Sequence, residues 1–250
     1  MTRLRVLAAL LASAVYAVVP ASARASTAYA PDGVLFYPSL AGLLPALGGP
    51  HFCSATVVHS AGHDLVITAA HCVFGAGPGT EFVPGFRDGR APYGVWSVAS
   101  IHVDPGWQSG QNPTRDVAVL TIAPLNGRQV EDVVGARPLG LPVIGAATTV
   151  RGYPMTAGVP SACTSRLTLT AGFPTVACPA GGMTDGVSGG AFVQSGRVVG
   201  VIGGLQQGGC TATVNYSSPF GAWTSRLLNR AQAHAAGDLA LPGFLANACP

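Results

Sequence analysis

Three short segments of this sequence carry residues that together could move a proton and form a covalent bond. Thr68-Ala69-Ala70-His71-Cys72 follows the apolar run 65–67, and a second cysteine, Cys53, stands on the run before it. A histidine backed by a stapled hairpin suits general-base work, because the imidazole has to stay within about 3 Å of the hydroxyl it deprotonates, in one orientation. Gly186-Val187-Ser188-Gly189-Gly190 sets a serine among glycines just before the apolar run Ala191–Val193. Glycine adopts positive φ at little cost, so the amide N–H groups of Gly186 and Ser188 can converge on an oxyanion forming beside the Ser188 hydroxyl. The third partner is a carboxylate between the two. Of Glu81, Asp88, Asp104, Asp116, Glu131, Asp132 and Asp185, Asp116 stands out, because it leads straight into the strand-like run Val117-Ala118-Val119-Leu120. The pattern predicts nucleophilic catalysis with Ser188 as nucleophile, His71 as base and Asp116 as the group that orients the base.

Gly186–Gly190 also fits the G-x-S-x-G elbow of α/β-hydrolases, which needs a strand-to-helix turn at the serine and a histidine after it. Here a strand-like run follows the serine, and the one later histidine, His234, sits on an Ala-rich tail. The residue order therefore argues against an esterase-like hydrolase. No metal or other cofactor is expected: there is no C-x-x-C pair, and the turn Ser60-Ala61-Gly62 separates His59 from His63.

These residues need a rigid frame, and the surrounding pattern is that of short strands. Val34–Tyr37, Ala55–His59, Leu65–Thr68, Gly94–Val103, Val117–Ile122, Thr148–Gly152, Ala191–Gln194 and Arg197–Ile202 are β-branched or alternating runs cut by Gly and Pro. That spacing predicts an all-β, antiparallel protein. One helical face is legible, in Ala222–Ala236, where Trp223, Leu227 and Leu228 recur at helical spacing. A link between two halves falls in 126–141.

The first residues read differently. Arg3 and Arg5 precede an apolar run from Val6 to Val19, followed by the small-residue segment Ala21–Ala25, the layout of a secretory signal. Removing Arg3 and Arg5, with or without Arg24, brings the net charge of +3 down to +1 or 0. A nucleic-acid or membrane-surface partner would need clustered Lys or Arg, so neither is expected. In an exported chain the six cysteines read as disulfides. Six cysteines allow fifteen pairings; proximity favours Cys53–Cys72 and Cys163–Cys178, leaving Cys210 and Cys249.

The T-A-A-H-C, D-V-A-V-L and S-G-G segments at 68–72, 116–120 and 188–190, in that order, resemble the trypsin-like serine protease family. With H-F-C-S-A-T-V-V at 51–58, the chain is most similar to the small exported bacterial members. The resemblance implies two antiparallel β-barrels with the site between them and a C-terminal helix. The corresponding division is a signal at 1–25, an N-terminal segment at 26–47 that could serve as a short propeptide, barrels at 48–130 and 131–221, and a helix and tail at 222–250. It also implies a secreted, monomeric endopeptidase acting on proteins or peptides; a non-catalytic homologue serving as a binding module is the alternative. By the same resemblance Gly182 lies at the base of the primary substrate pocket and Gly203, Gly204 and Leu205 on its wall, an uncharged pocket suited to small or medium apolar side chains. Two positions depart from the family pattern. Val187 replaces the aspartate that usually receives a newly cut N-terminus, so that activation switch is not expected. Gly203 replaces the serine that supports the triad aspartate, which leaves Asp116 to backbone donors or Thr68.

Overall fold

The structure is a computed structural model and describes residues 30–37, 51–75, 77–240 and 249. The signal expected at 1–25 lies outside them.

Continuous runs rich in β-branched residues form the strands that frame the site. Cys53–Val58 (β2), Leu65–Thr68 (β3) and Ala118–Ile122 (β6) are buried at every position, with side chains packed on both faces. Together with Asp32–Phe36 (β1), Glu81–Pro84 (β4) and Trp96–Val103 (β5) they close an antiparallel barrel in the order β1-β2-β3-β6-β5-β4. β1 closes it: Gly33 pairs with Ala55 on one side and Pro84 on the other. A side chain there would run into the Val83 carbonyl and the Phe82 ring, so the closure needs glycine. The sequence set 26–47 apart as a segment that could be removed; the structure places 32–36 within the barrel, and excising them would open it.

In the second half, Ala147–Gly152 (β7), Ser161–Arg166 (β8), Ala191–Gln194 (β11) and Arg197–Val201 (β12) form a sheet ordered β12-β11-β7-β8. Thr168–Thr170 (β9), Phe173–Ala177 (β10) and Val214–Tyr216 (β13) form a second, ordered β13-β10-β9. A bridge between Ile202 and Ser217 joins the two sheets. Val150, Leu167, Val176, Val187, Phe192, Val199 and Ile202 fill the space between them.

The link at 126–141 carries a short helix, Val130–Val134, with Val130 and Val134 buried and the Glu131 amide donating to the His63 carbonyl. The C-terminal helix runs Ala222–Gln232, with Trp223, Thr224, Leu227 and Ala231 buried and Leu228 on the flank. It stops short of Ala236, and His234 follows in a left-handed conformation with φ of 49°. Cys53 is joined to Cys72, Cys163 to Cys178 and Cys210 to Cys249. Among the described residues no helix is long and apolar enough to cross a membrane.

Candidate active site

His71 sits in the 3-10 turn Ala70–Cys72 immediately after β3, and the Cys53–Cys72 bridge, with Cα atoms 6.1 Å apart, ties this turn to β2. Asp116 lies between the 3-10 turn Pro113–Arg115 and β6, the strand paired with β3. That pairing brings the two side chains together. Asp116 Oδ2 accepts from His71 Nδ1 at 2.7 Å and Oδ1 from the His71 amide at 2.8 Å. Oδ2 also accepts from the Gly204 amide at 2.8 Å, so three donors hold a carboxylate that is 1 % exposed. The Asp116 amide donates to Ser218 Oγ, which donates to the Pro113 carbonyl. A carboxylate on Nδ1 leaves Nε2 as the ring nitrogen available to another partner.

The support for Asp116 is thus from backbone amides; Thr68 Oγ1 donates instead to the Ser54 carbonyl. A Cβ at Gly203 would stand 3.0 Å from Asp116 Oδ2 and 3.2 Å from the Ala69 Cβ. Gly203 therefore packs directly on the carboxylate, and the amide of Gly204 supplies the donor.

Ser188 is half-buried and lines a cleft of about 300 Å³ together with His71, Gly186, Cys53 and Cys72. Among the described residues His71 and Ser188 do not hydrogen-bond to each other; in ligand-free enzymes such contacts commonly tighten only when substrate binds. The loop around Ser188 is tightly constrained. Gly186 and Gly189 have φ of 95° and 78°, and a Cβ on Gly186 would stand 2.8 Å from the Tyr153 carbonyl. A side chain on Gly189 would collide with Thr68 Oγ1 and the Ser54 carbonyl, and one on Gly190 with the Arg151 carbonyl. The Gly189 amide donates to the Ile202 carbonyl and the Gly190 amide to Val187. The Gly186 and Ser188 amides make no such bond among the described residues, which leaves them available to a ligand.

Ser54, which the sequence analysis did not single out, holds this loop from below: Oγ accepts from the Tyr153 amide at 2.7 Å and donates to the Gly186 carbonyl at 3.0 Å. Its signal was a small polar residue inside the apolar run 51–58, whose residues 53–58 form β2. His51 is buried nearby between Phe36, Phe86 and Tyr153, with Nε2 3.1 Å from the Tyr153 carbonyl, and burial holds its pKa below the ordinary imidazole value.

Beside Ser188 opens a second cavity, of about 330 Å³, lined by Met183, Thr184, Asp185, Val187, Ile202, Gln207–Ala212 and Val214. Of the four residues assigned to the substrate pocket by resemblance, none lines it. Gly203 and Gly204 are taken up by Asp116, and Gly182 packs toward Ser161. Leu205 opens the 3-10 turn Leu205–Gly208, whose later residues reach the cavity. The wall of this cavity is formed by the neighbouring Gln207–Ala212, a loop too irregular to be read from periodicity. Cys53, His71 and Cys72 are the one group of three potential metal ligands close together among the described residues. The two sulfurs are bonded to each other and Nδ1 is engaged by Asp116, so this donor set does not fit a metal ion.

The family model described as Trypsin matches residues 43–223. Protease Anisep from Arthrobacter nicotinovorans is similar in structure, with 26 % identity, a TM-score of 0.68, and coverage of 82 % of this chain and 96 % of that one. A thermostable serine protease, AL20, from an extremophilic microorganism superposes with a TM-score of 0.67 at 22 % identity, covering 83 % and 99 %. Human heparin binding protein shares the fold at 20 % identity, with a TM-score of 0.60 and coverage of 82 % and 93 %. No curated protein matches the sequence. With a match over more than half its length and this frame around His71 and Ser188, the chain belongs to the trypsin family of serine proteases.

Proposed function

We propose that this protein is a secreted, monomeric endopeptidase that cuts peptide bonds through an acyl-enzyme on Ser188. His71 takes the Ser188 proton as general base and returns it to the leaving amine as general acid. Asp116 fixes the imidazole tautomer and stabilises the imidazolium, and the amides of Gly186 and Ser188 receive the oxyanion. The observation that carries this reading is the double contact of Asp116 with the His71 amide and Nδ1, in a cleft shared with Ser188. Three disulfides suit an oxidising compartment outside the cytoplasm.

The two cavities suggest what the site selects. The one beside Ser188 is floored by buried Met183, Val187 and Ile202, and its one carboxylate, Asp185, is exposed at a point where the cavity meets the cleft. It suits a neutral side chain on the acyl side of the cut. The cleft on the His71 side is walled by aromatic residues. Tyr37 stacks on Phe52 with ring centroids 4.1 Å apart and lies 5.9 Å from Phe74, and Met155 also lines this cleft. Tyr37 and Phe74 are 49 % and 44 % exposed and with Phe52 present an apolar surface that a substrate can cover. Because His71 protonates the leaving amine, the leaving half of the substrate passes along this wall and is favoured when apolar or aromatic.

Digestion of a proteome-derived peptide library, read on both sides of each cut, tests these statements together. The expected result is cleavage after neutral residues with apolar or aromatic residues enriched just beyond the cut. Cleavage confined to Lys or Arg, or no cleavage at all, would contradict it.

A further inference from the structure

Asp32 opens β1 and is 4 % exposed, yet it is a carboxylate. Its Oδ1 accepts from Thr56 Oγ1 at 3.0 Å, while Oδ2 faces two guanidinium groups, Arg151 Nη1 at 2.8 Å and Arg137 Nη2 at 3.3 Å. The two arginines come from different places. Arg137 lies on the link, its backbone bonded to Val57 and His59, whereas Arg151 lies on β7 in the second half of the molecule. A buried ion cluster that joins the first strand to the second sheet is costly to desolvate, so its presence is weak evidence for added stability.

What this cluster fixes lies directly above it. Arg151-Gly152-Tyr153 is the floor of the nucleophile loop at four points. The Arg151 carbonyl occupies the space where a Gly190 side chain would stand, and a Cβ on Gly152 would be 2.7 Å from the Val187 Cβ. The Tyr153 carbonyl limits Gly186, and the Tyr153 amide reaches the Gly186 carbonyl through Ser54 Oγ. Tyr153 is anchored at its other end, where its hydroxyl donates to the Asp32 carbonyl at 3.4 Å. Val187 itself is buried in an apolar niche with Val150 and Phe192, so no charge next to Ser188 orders the loop.

We propose that Asp32 is a positioning residue for the oxyanion site: through Arg151 its carboxylate holds residues 151–153 against the loop and so sets where the Gly186 and Ser188 amides point. This rests on the reading of those two amides as oxyanion donors. Neutralising Asp32 removes the charge that draws the Arg151 guanidinium to β1, and a shift of that side chain loosens the floor. Arg137 shares the carboxylate from the link, outside residues 151–153, which makes it an internal control.

The test uses the full mature chain and its Asp32→Asn, Arg151→Gln and Arg137→Gln variants, each assayed well below its own Tm. Two quantities are measured: kcat and KM on a peptide amide, and hydrogen exchange of the peptide containing residues 183–190. Misplacing reacting groups by around an ångström costs about a hundredfold, so Asp32→Asn and Arg151→Gln are expected to lower kcat by about tenfold to a hundredfold with little change in KM. The same two variants are expected to speed exchange in 183–190, while Arg137→Gln lowers Tm and changes neither quantity. If Asp32→Asn does not fold, Arg151→Gln carries the comparison, since it leaves Asp32 paired with Arg137. Unchanged exchange in 183–190 and unchanged kcat in folded Asp32→Asn or Arg151→Gln would overturn the proposal. A wild-type chain that hydrolyses nothing would instead overturn the catalytic reading, and the exchange data would still decide whether Asp32 holds the loop.

Discussion

Asp116 grips His71 at two points, accepting from the backbone amide with one oxygen and from Nδ1 with the other, at 2.8 and 2.7 Å. The imidazole is thereby fixed both in position and in tautomer. Asp116→Asn presents an N–H or a weaker acceptor to Nδ1 and favours the wrong tautomer. It is expected to lower kcat by about 10⁴ while leaving KM and the fold little changed. Steady-state kinetics with a circular-dichroism check on folding measures it; a loss under tenfold would mean that the orienting role belongs elsewhere.

Val187 stands where the family's activation switch uses an aspartate, and it is 6 % exposed among apolar side chains. Val187→Asp buries a carboxylate with no partner and is expected to cost about 3–5 kcal/mol of stability, read by denaturant unfolding. For the same reason, mature forms beginning at Ser26 and forms with a few residues more should share one kcat/KM. A large gain on trimming to one defined terminus, lost when that terminus is acetylated, would show that the switch exists.

Acid should weaken the fold through His51. Burial lowers its pKa, so in the folded chain it resists protonation, whereas in the unfolded chain it titrates near the ordinary ~6.5. Above that value both states are neutral and His51 adds no pH dependence. Below it the unfolded state takes up a proton that the folded state refuses, and stability falls as pH falls. His102 is shifted the same way, chiefly by burial. His51→Gln, which keeps a donor for the Tyr153 carbonyl, should therefore lose less Tm than wild type between about pH 7 and about pH 5. An equal loss in both would remove His51 from the acid response.

The parts of this molecule that were legible in the sequence are those with one strong local cause. Leu65–Thr68 and Ala191–Gln194 are short apolar runs bounded by turn residues, and their strands have the same limits in the structure. The strands that escaped notice lack such a cause. Ser161–Arg166 alternates between exposed and half-buried positions and has no apolar face, and Glu81–Pro84 and Phe173–Ala177 each contain a proline that argues locally against a strand. The link helix Val130–Val134 is a single turn and a half, too short for periodicity to show. In the candidate site, His71, Asp116 and Ser188 could be singled out because each adjoins a strand end. The wall of the cavity beside Ser188, at Gln207–Ala212, could not, because its residues are placed by tertiary contacts and by unusual backbone, with Gln206 and Gln207 both at positive φ. Asp32 escaped for a related reason: a lone aspartate before an apolar run looks solvated until the arginines from 137 and 151 arrive beside it.

The most direct measurement is turnover of Ser188→Ala beside labelling of the wild-type chain by a sulfonyl fluoride. If Ser188 is the nucleophile, the reagent modifies Ser188 and no other serine, and the alanine variant folds as wild type but loses about 10⁴- to 10⁶-fold in kcat. An alanine variant that keeps wild-type turnover, or a label on a different serine, would contradict the assignment of this site.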